Sequence, residues 1–122
     1  MRKVAVYLID EAKKEFEGLN RIIGEQTARG IGNSEEMQLL ASIKNKIEIL
    51  KLNPVYGDQV PKRLWPKELV SKHRLTNLWR VELTNYWRML YTLRGDKVEL
   101  ICFIIELIDH KKYDRLFGYK KR

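Results

Sequence analysis

A nearly continuous apolar segment close to the C-terminus is the feature that most constrains how this chain can fold. Nine of the eleven residues from Val98 to Ile108 are apolar, and the polar residues DHKKY follow at once at 109–113. A strand that is apolar on both faces belongs at the centre of a sheet, where both faces are covered. Glu99 and Glu106 interrupt the segment, so it falls short of the ~20 apolar residues that a membrane span requires.

The hydrophobic patterns before this segment predict the other elements of an α+β domain. Apolar residues alternate along three short strands and recur at helical spacing along two helices. In chain order, these five elements cover residues 4–9, 10–29, 33–52, 78–83 and 87–93. We therefore predict an N-terminal strand, an antiparallel two-helix hairpin and then a three-stranded antiparallel meander, forming one sheet, with a short C-terminal helix or tail.

The length and the cysteine content limit the class of protein. The 122 residues suit a single domain, residues 1–122. Cys102 is the one cysteine, which favours a reducing cytoplasm, and an apolar environment makes its thiol a core group rather than a nucleophile. One cysteine and two histidines do not supply the four ligands of a structural zinc site. A glycine-rich phosphate loop is also absent, so we expect no metal and no cofactor. Because the apolar segment is too short to span a membrane, we also expect no membrane association.

The net charge of +8 is concentrated in the second half of the chain. Residues 1–59 balance nine basic against nine acidic side chains. Residues 60–94 carry eight basic and two acidic side chains, and residues 109–122 carry six and two. An asymmetry of this kind predicts a polyanionic partner, usually a nucleic acid. The alternative is a basic composition that serves solubility alone.

The polar segment after the apolar strand is the best local candidate for a catalytic site. The imidazole of His110 can donate or accept a proton, and Tyr113 can assist. Lys111 can stabilise negative charge on a phosphate. The structural alternative is a basic helix start, in which Asp109 caps the helix, Tyr113 packs on the sheet and the lysines are solvated.

Arg88 is a second candidate because it lies within a strand whose alternate residues are aromatic or apolar. A charged side chain in such a position must face solvent or find a partner. If the two long helices cover only one face of the sheet, Arg88 lies on the open face and can bind a phosphate. The alternative is an ion pair with Glu82 across the hairpin. Arg80, on the neighbouring strand, has the same two interpretations.

The segment between the second helix and the meander is a candidate for contacts with a phosphate backbone. Its basic residues are Lys62, Arg63, Lys67, Lys72, His73 and Arg74. Trp65, Trp79 and Trp87 could stack nucleobases, although tryptophans are more often core residues, and Trp65 is the one most expected to be exposed. We expect irregular structure in residues 54–76, apart from a short helix in residues 66–73.

The order of elements and three short motifs resemble the RelE/ParE toxin superfamily. The motifs are Trp79-Arg80-Val81, Trp87-Arg88-Met89-Leu90-Tyr91, and His110 followed by Tyr113. The resemblance covers nearly the whole chain by pattern. It implies a RelE-like fold and a small toxin of a type II toxin–antitoxin pair, with a cognate antitoxin as a partner.

The resemblance also implies an activity and roles for individual residues. RelE-like members cleave mRNA in the ribosomal A site without a metal, whereas ParE-like members poison gyrase. By position, Arg88 would contact the phosphate, His110 and Tyr113 would lie near the scissile bond, and Lys72 and Arg74 would bind RNA. Some RelE-type ribonucleases carry an arginine at the end of the second strand, and this chain has none in residues 83–85. A gyrase poison, or a homologue that only binds its antitoxin, therefore stays an alternative to an mRNA endoribonuclease.

Overall fold

A five-stranded mixed sheet organises the protein, and the computed structural model describes residues 2–118. The strands are β1 (Lys3–Leu8), β2 (Asp58–Gln59), β3 (Trp79–Glu82), β4 (Arg88–Gly95) and β5 (Glu99–Ile108). The helices are α1 (Asp10–Ala28), α2 (Glu35–Leu52), α3 (Lys67–His73) and α4 (His110–Phe117), and 3₁₀ turns cover Lys62–Leu64 and Thr84–Tyr86. The predicted α+β class and order of elements are confirmed. Within the described residues, no helix is both long and apolar enough to cross a membrane.

The apolar sequence of β5 predicts the centre of the sheet; β5 is an interior strand with a neighbour on each side, but β4 holds the middle position. The order of strands is β1-β5-β4-β3-β2, with β1 parallel to β5 and every other pair antiparallel. The edge strand β2 was not predicted, because Asp58 and Gln59 show no hydrophobic alternation. Both residues pair with β3, opposite Arg80 and Trp79.

A bulge in β5 decides which of its residues face each side of the sheet. Leu90 of β4 pairs with Glu106, whereas the next residue, Tyr91, pairs with Ile104, so Ile105 is an extra residue on β5. Strict alternation would place Glu106 on the same face as Ile104. The bulge places Glu106 on the opposite face together with Leu90 and Ile105.

Helices α1 and α2 cover one face of the sheet, which we call the first face. The buried residues of this core are Ala12, Leu19, Leu39, Ile43, Leu50, Val81, Leu83, Met89, Tyr91, Cys102, Ile104 and Leu107. Apolar stripes on both helices contribute the first five of them, as the helical spacing predicts. Burial raises the pKa of the Cys102 thiol to about 12, so the thiol stays protonated and serves as a core group.

The second face of the sheet is not open, in contrast to the expectation from two long helices alone. Its buried residues are Val60, Leu69, Leu75, Leu78, Leu90, Ile105, Ile108 and Tyr113. They come from α3, α4, two strands and the segments that flank α3. The short helix predicted within residues 66–73 is confirmed as α3. The rest of residues 54–76 packs against the sheet because its scattered apolar side chains fill this second core.

Tyr91 fixes the loop that follows α2 to the sheet. The side chain is fully buried, and its hydroxyl donates to the Pro54 carbonyl at 2.8 Å and accepts from the Gly57 amide at 3.0 Å. A Cβ at Gly57 would lie 2.8 Å from both the Tyr91 hydroxyl and the Arg80 carbonyl oxygen. Only glycine therefore allows the loop to approach β3 and β4 this closely.

Removing the Tyr91 hydroxyl should destabilise the protein. Tyr91→Phe leaves one amide and one carbonyl of the loop without their partner, so we expect a loss of about 1–3 kcal/mol in the free energy of unfolding. Urea titration measures it. Tyr7→Phe is the matched control, because Tyr7 is 53% exposed, and it should change stability by less than ~0.5 kcal/mol. Equal stabilities of the two variants would contradict the prediction.

Glu106 is a buried carboxylate whose partners are incomplete. It is 5% exposed, and Lys112 Nζ lies 3.7 Å from its Oε1 atom, which accepts no hydrogen bond from any described residue. Burial raises the pKa of Glu106, and the charge of Lys112 opposes this shift. The folded state therefore favours the protonated acid. This contribution to stability is fully present below the unfolded-state pKa of ~4.3 and is lost as the pH rises through the folded-state pKa.

Replacing this carboxylate by its neutral isostere should change how stability depends on pH. The melting temperature of Glu106→Gln minus that of the parent should increase as the pH rises from ~4 to ~7, because only the parent must ionise a buried acid. Thermal unfolding at several pH values measures the difference. Glu99→Gln, at an exposed position on the same strand, should show no such trend. A difference for Glu106→Gln that is independent of pH would refute the prediction.

Candidate functional site

Two arginines converge on the ring of Tyr113 on the second face of the sheet. Arg80 donates from Nη1 to the Tyr113 hydroxyl at 3.0 Å, and the guanidinium carbon of Arg88 lies 4.5 Å from the ring centroid. The Tyr113 ring is 3% exposed and stacks on Phe117, with 4.3 Å between the centroids. The structure therefore brings Arg88 and Tyr113, two predicted catalytic residues, into contact. We call Arg80 and Arg88 the arginine pair.

Several nitrogen atoms of the arginine pair lack an acceptor. Arg80 Nε, Arg88 Nε and Arg88 Nη1 are shielded from solvent and donate to no described residue. Asp58 lies 3.9 Å from Arg80 Nη2. Glu82 is opposite Arg88 in the β3–β4 pairing, but the two form no ion pair in the part of the chain that the structure describes. Both arginines are half-buried and no described carboxylate lies within hydrogen-bonding distance of them, which favours the binding of an anion.

The polar segment after β5 forms the first turn of α4. The Asp109 carboxylate accepts from the Lys112 amide at 2.8 Å, which satisfies a free amide of the helix N-terminus. His110 and Lys111 are exposed. These are the features of the structural alternative, a capped basic helix start. The same geometry also places the exposed imidazole one helical turn before Tyr113, on which the arginine pair lies.

An exposed aromatic residue that the sequence did not reveal lies next to His110. Tyr86 is 78% exposed, and its ring centroid is 6.0 Å from that of His110, with the ring planes at 69°. An open pocket with a volume of about 540 Å³ adjoins it, lined by Glu82, Leu83, Asn85, Tyr86, Trp87 and Arg88. From the sequence, residues 84–86 are only the connection between two predicted strands. The sequence feature that could have indicated Tyr86 as a site residue is a large aromatic residue in a short connection between two strands.

The other predicted RNA-binding residues do not join the arginine pair. Lys62 and Arg63 are exposed in the first 3₁₀ turn, and the exposed Arg74 follows α3. The Arg74 carbonyl accepts from Nη2 of Arg94 at 2.9 Å. Arg94 lies near the far end of β4 from Arg88, a separation of ~20 Å at the rise of a strand. The basic residues therefore form two groups at opposite ends of β4.

Two residues of the predicted basic segment are engaged elsewhere. Lys72 Nζ lies 3.6 Å from Glu11 Oε1, and His73 Nδ1 lies 3.7 Å from Asp10 Oδ2. Burial lowers the pKa of His73, and the charges of Lys72 and Arg94 lower it further against the opposing effect of Asp10. The His73 imidazole is therefore neutral at pH 7 and adds no charge to this surface.

The tryptophans are parts of the cores rather than exposed platforms. The Trp65 indole N–H donates to the Val60 carbonyl at 2.8 Å, and its ring packs on the second core. Trp79 stacks on Tyr91, with 6.0 Å between the centroids, and Trp87 also packs on the first core. All three tryptophans are half-buried, so none of them is a fully exposed platform.

Two further features of the described residues lie outside this site. Among residues 2–118, no group of three or more His, Cys, Asp or Glu side chains is arranged to hold a metal ion. A groove of about 380 Å³ runs between α1, α2 and the second 3₁₀ turn. Neither arginine of the pair lines this groove.

Comparison with known proteins identifies the fold. No protein-family model matches the chain, and no curated protein matches it significantly. A solved structure of a YoeB/ParE toxin from Agrobacterium tumefaciens is similar, with a TM-score of 0.57 and 13% sequence identity over 90% of this chain and 99% of that toxin. An identity this low shows the fold and not the activity. The chain therefore has a RelE/ParE-like toxin fold, as its order of elements and its short motifs predict.

Proposed function

We propose that this protein is the toxin of a type II toxin–antitoxin pair and that it cleaves mRNA on the ribosome without a metal ion. The observation that carries the proposal is the arginine pair on the Tyr113 ring, with guanidinium nitrogens that lack acceptors. The likeness in fold to a YoeB/ParE toxin and the basic second half of the chain support it. A cognate antitoxin, the ribosome and mRNA are the partners that this function requires.

The reaction needs few protein groups because RNA carries its own nucleophile. The 2′-oxygen loses its proton and forms a bond to the adjacent phosphorus, while the bond from phosphorus to the 5′-oxygen breaks. The leaving 5′-oxygen then takes up a proton. A protein accelerates this reaction by aligning the 2′-oxygen, by stabilising the negative charge on the phosphate and by transferring these two protons.

Each group of the site has a role in this scheme. Arg88 binds the scissile phosphate, since it lines the pocket beside Tyr86 and forms no ion pair with a described carboxylate. Tyr113 positions both arginines from a buried ring, and Lys111 adds positive charge from the helix surface. His110, exposed on the first turn of α4, transfers the protons.

Loss of the imidazole should abolish most of the cleavage and leave the fold intact. A general acid or base contributes ~10²–10⁴-fold in rate, so His110→Ala should slow mRNA cleavage by about this factor. Primer extension on mRNA translated by purified ribosomes measures the rate. Because His110 is exposed, its replacement should change the free energy of unfolding by less than ~0.5 kcal/mol.

Lys67→Ala is the matched control, since Lys67 is also an exposed residue at the start of a helix. It should change the cleavage rate much less than His110→Ala. If His110→Ala cleaves at the parental rate, the histidine is only a polar residue at a helix start. If the parent arrests growth but cleaves no translated mRNA, the endoribonuclease proposal fails, and inhibition of gyrase becomes the function to test.

Binding of the protein to RNA should depend steeply on salt, with a contribution from Arg88. Each phosphate neutralised on a single strand contributes about −0.7 to the slope of log affinity against log salt. Arg88→Gln should therefore reduce the magnitude of the slope by about 0.7, as measured by fluorescence anisotropy. Lys13→Gln, at an exposed position on α1, should leave the slope unchanged. Equal slopes for the parent and Arg88→Gln would show that Arg88 contacts no phosphate.

A further inference from the structure

The backbone of the second 3₁₀ turn holds Tyr86 in an unusual position. Asn85 and Tyr86 both have left-handed backbone conformations, with φ of 57° and 64°. A residue with a Cβ is strained in this region, and a bulky side chain there is rare. The Ser42 hydroxyl on α2 accepts from the Thr84 amide at 3.2 Å, and the Trp87 amide donates to the Thr84 carbonyl at 3.2 Å. The turn is therefore fixed at both ends, with Tyr86 on its outside.

Packing does not account for the Tyr86 ring. The side chain is 78% exposed and belongs to neither core. Its hydroxyl forms no hydrogen bond with a described residue, and its one ring contact in this part of the chain is the edge-on contact with His110. A strained backbone that presents an aromatic ring to solvent, next to the candidate catalytic group, points to a ligand.

We propose that Tyr86 is a stacking platform for one unpaired nucleobase of the bound RNA. Aromatic side chains stack on every base because each base has a π face, so the platform needs no particular sequence. The pocket beside Tyr86 holds about 540 Å³, which is within the usual range for a small-molecule site. The three tryptophans are half-buried against the two cores, and of them only Trp87 also lines this pocket.

The position of Tyr86 connects the base to the reaction. Tyr86 and Arg88 line the same pocket, and His110 lies against the Tyr86 ring. A nucleobase and the adjacent phosphate are joined by one ribose, so a base on Tyr86 leaves its phosphate within reach of Arg88. The inference rests on the proposed function in one respect, because it takes single-stranded RNA as the ligand of this site.

The experiment compares two RNA probes that carry the same charge. One is a fluorescently labelled hexamer of uridylate, and the other is an abasic hexamer with the same riboses and phosphates. The parent should bind the intact hexamer more tightly than the abasic one. Tyr86→Ala should weaken binding to the intact hexamer about 5- to 150-fold, which corresponds to the ~1–3 kcal/mol of stacking on one aromatic side chain. Binding to the abasic hexamer should change by less than about twofold, since its phosphate contacts are intact.

Three further variants separate stacking from folding. Tyr86→Phe keeps the ring and should bind both probes like the parent. Tyr86→Gly should lose the same base-dependent affinity as Tyr86→Ala, while its melting temperature is not lowered, because glycine accepts the left-handed φ without strain. Tyr7→Ala removes another exposed tyrosine and should leave binding to both probes unchanged.

The outcomes distinguish this inference from the proposed function. Equal losses for both probes, or no loss for either, would overturn the stacking platform even if the parent cleaves mRNA on the ribosome. A loss confined to the intact hexamer supports the platform. If that loss is found while the parent cleaves no translated mRNA, Tyr86 binds a base, and the proposed endoribonuclease activity is the part that fails.

Discussion

The double burial of β5 is the constraint on which the other elements depend. This strand pairs with β1 on one side and β4 on the other, and both of its faces lie under helices. Without its bulge, the alternation that places Ile104 on the first face would place Glu106 there as well. A carboxylate would then lie among the apolar side chains of the larger core. The bulge moves it to the second face, within 3.7 Å of Lys112, and so ties the end of β5 to the first turn of α4.

The packing of α4 on the sheet stabilises the arginine pair, but part of the charge of the pair has no partner. Two guanidinium groups close to one another repel, and the Tyr113 ring offsets this with a cation–π contact to Arg88 and a hydrogen bond from Arg80. The hydrogen bond with Tyr113 is also the main cause of the raised pKa of Arg80. Since Tyr113 comes from α4 and the arginines come from β3 and β4, the site forms only when the C-terminal helix is packed on the sheet.

The sequence predicts the elements that have a regular hydrophobic period and misses those that depend on distant contacts. Alternation predicts β1, β3 and β4, a nearly continuous apolar segment predicts β5, and the apolar stripes predict α1 and α2. The bulge in β5 and the pairing of β2 are decided by partners elsewhere in the sheet, so no local pattern indicates them. Within the candidate site, Arg88 and Tyr113 could be paired from short motifs. The exposure of Tyr86 could not be predicted from the sequence, because it results from the backbone dihedral angles of the turn.

The different lengths of the helices on the two faces explain why the candidate site lies on the second face. The first face is covered by two long helices, and a groove between them does not reach the arginine pair. The second face is covered by α3, α4 and the segments that flank α3, each too short to cover the whole sheet. At the end of β4, Arg88 is half-buried whereas His110 and Tyr86 are exposed, so a ligand can reach this edge from one side. A longer α4 over this edge would also bury the accessible part of both guanidinium groups, and burying two cations without paired anions would destabilise the fold.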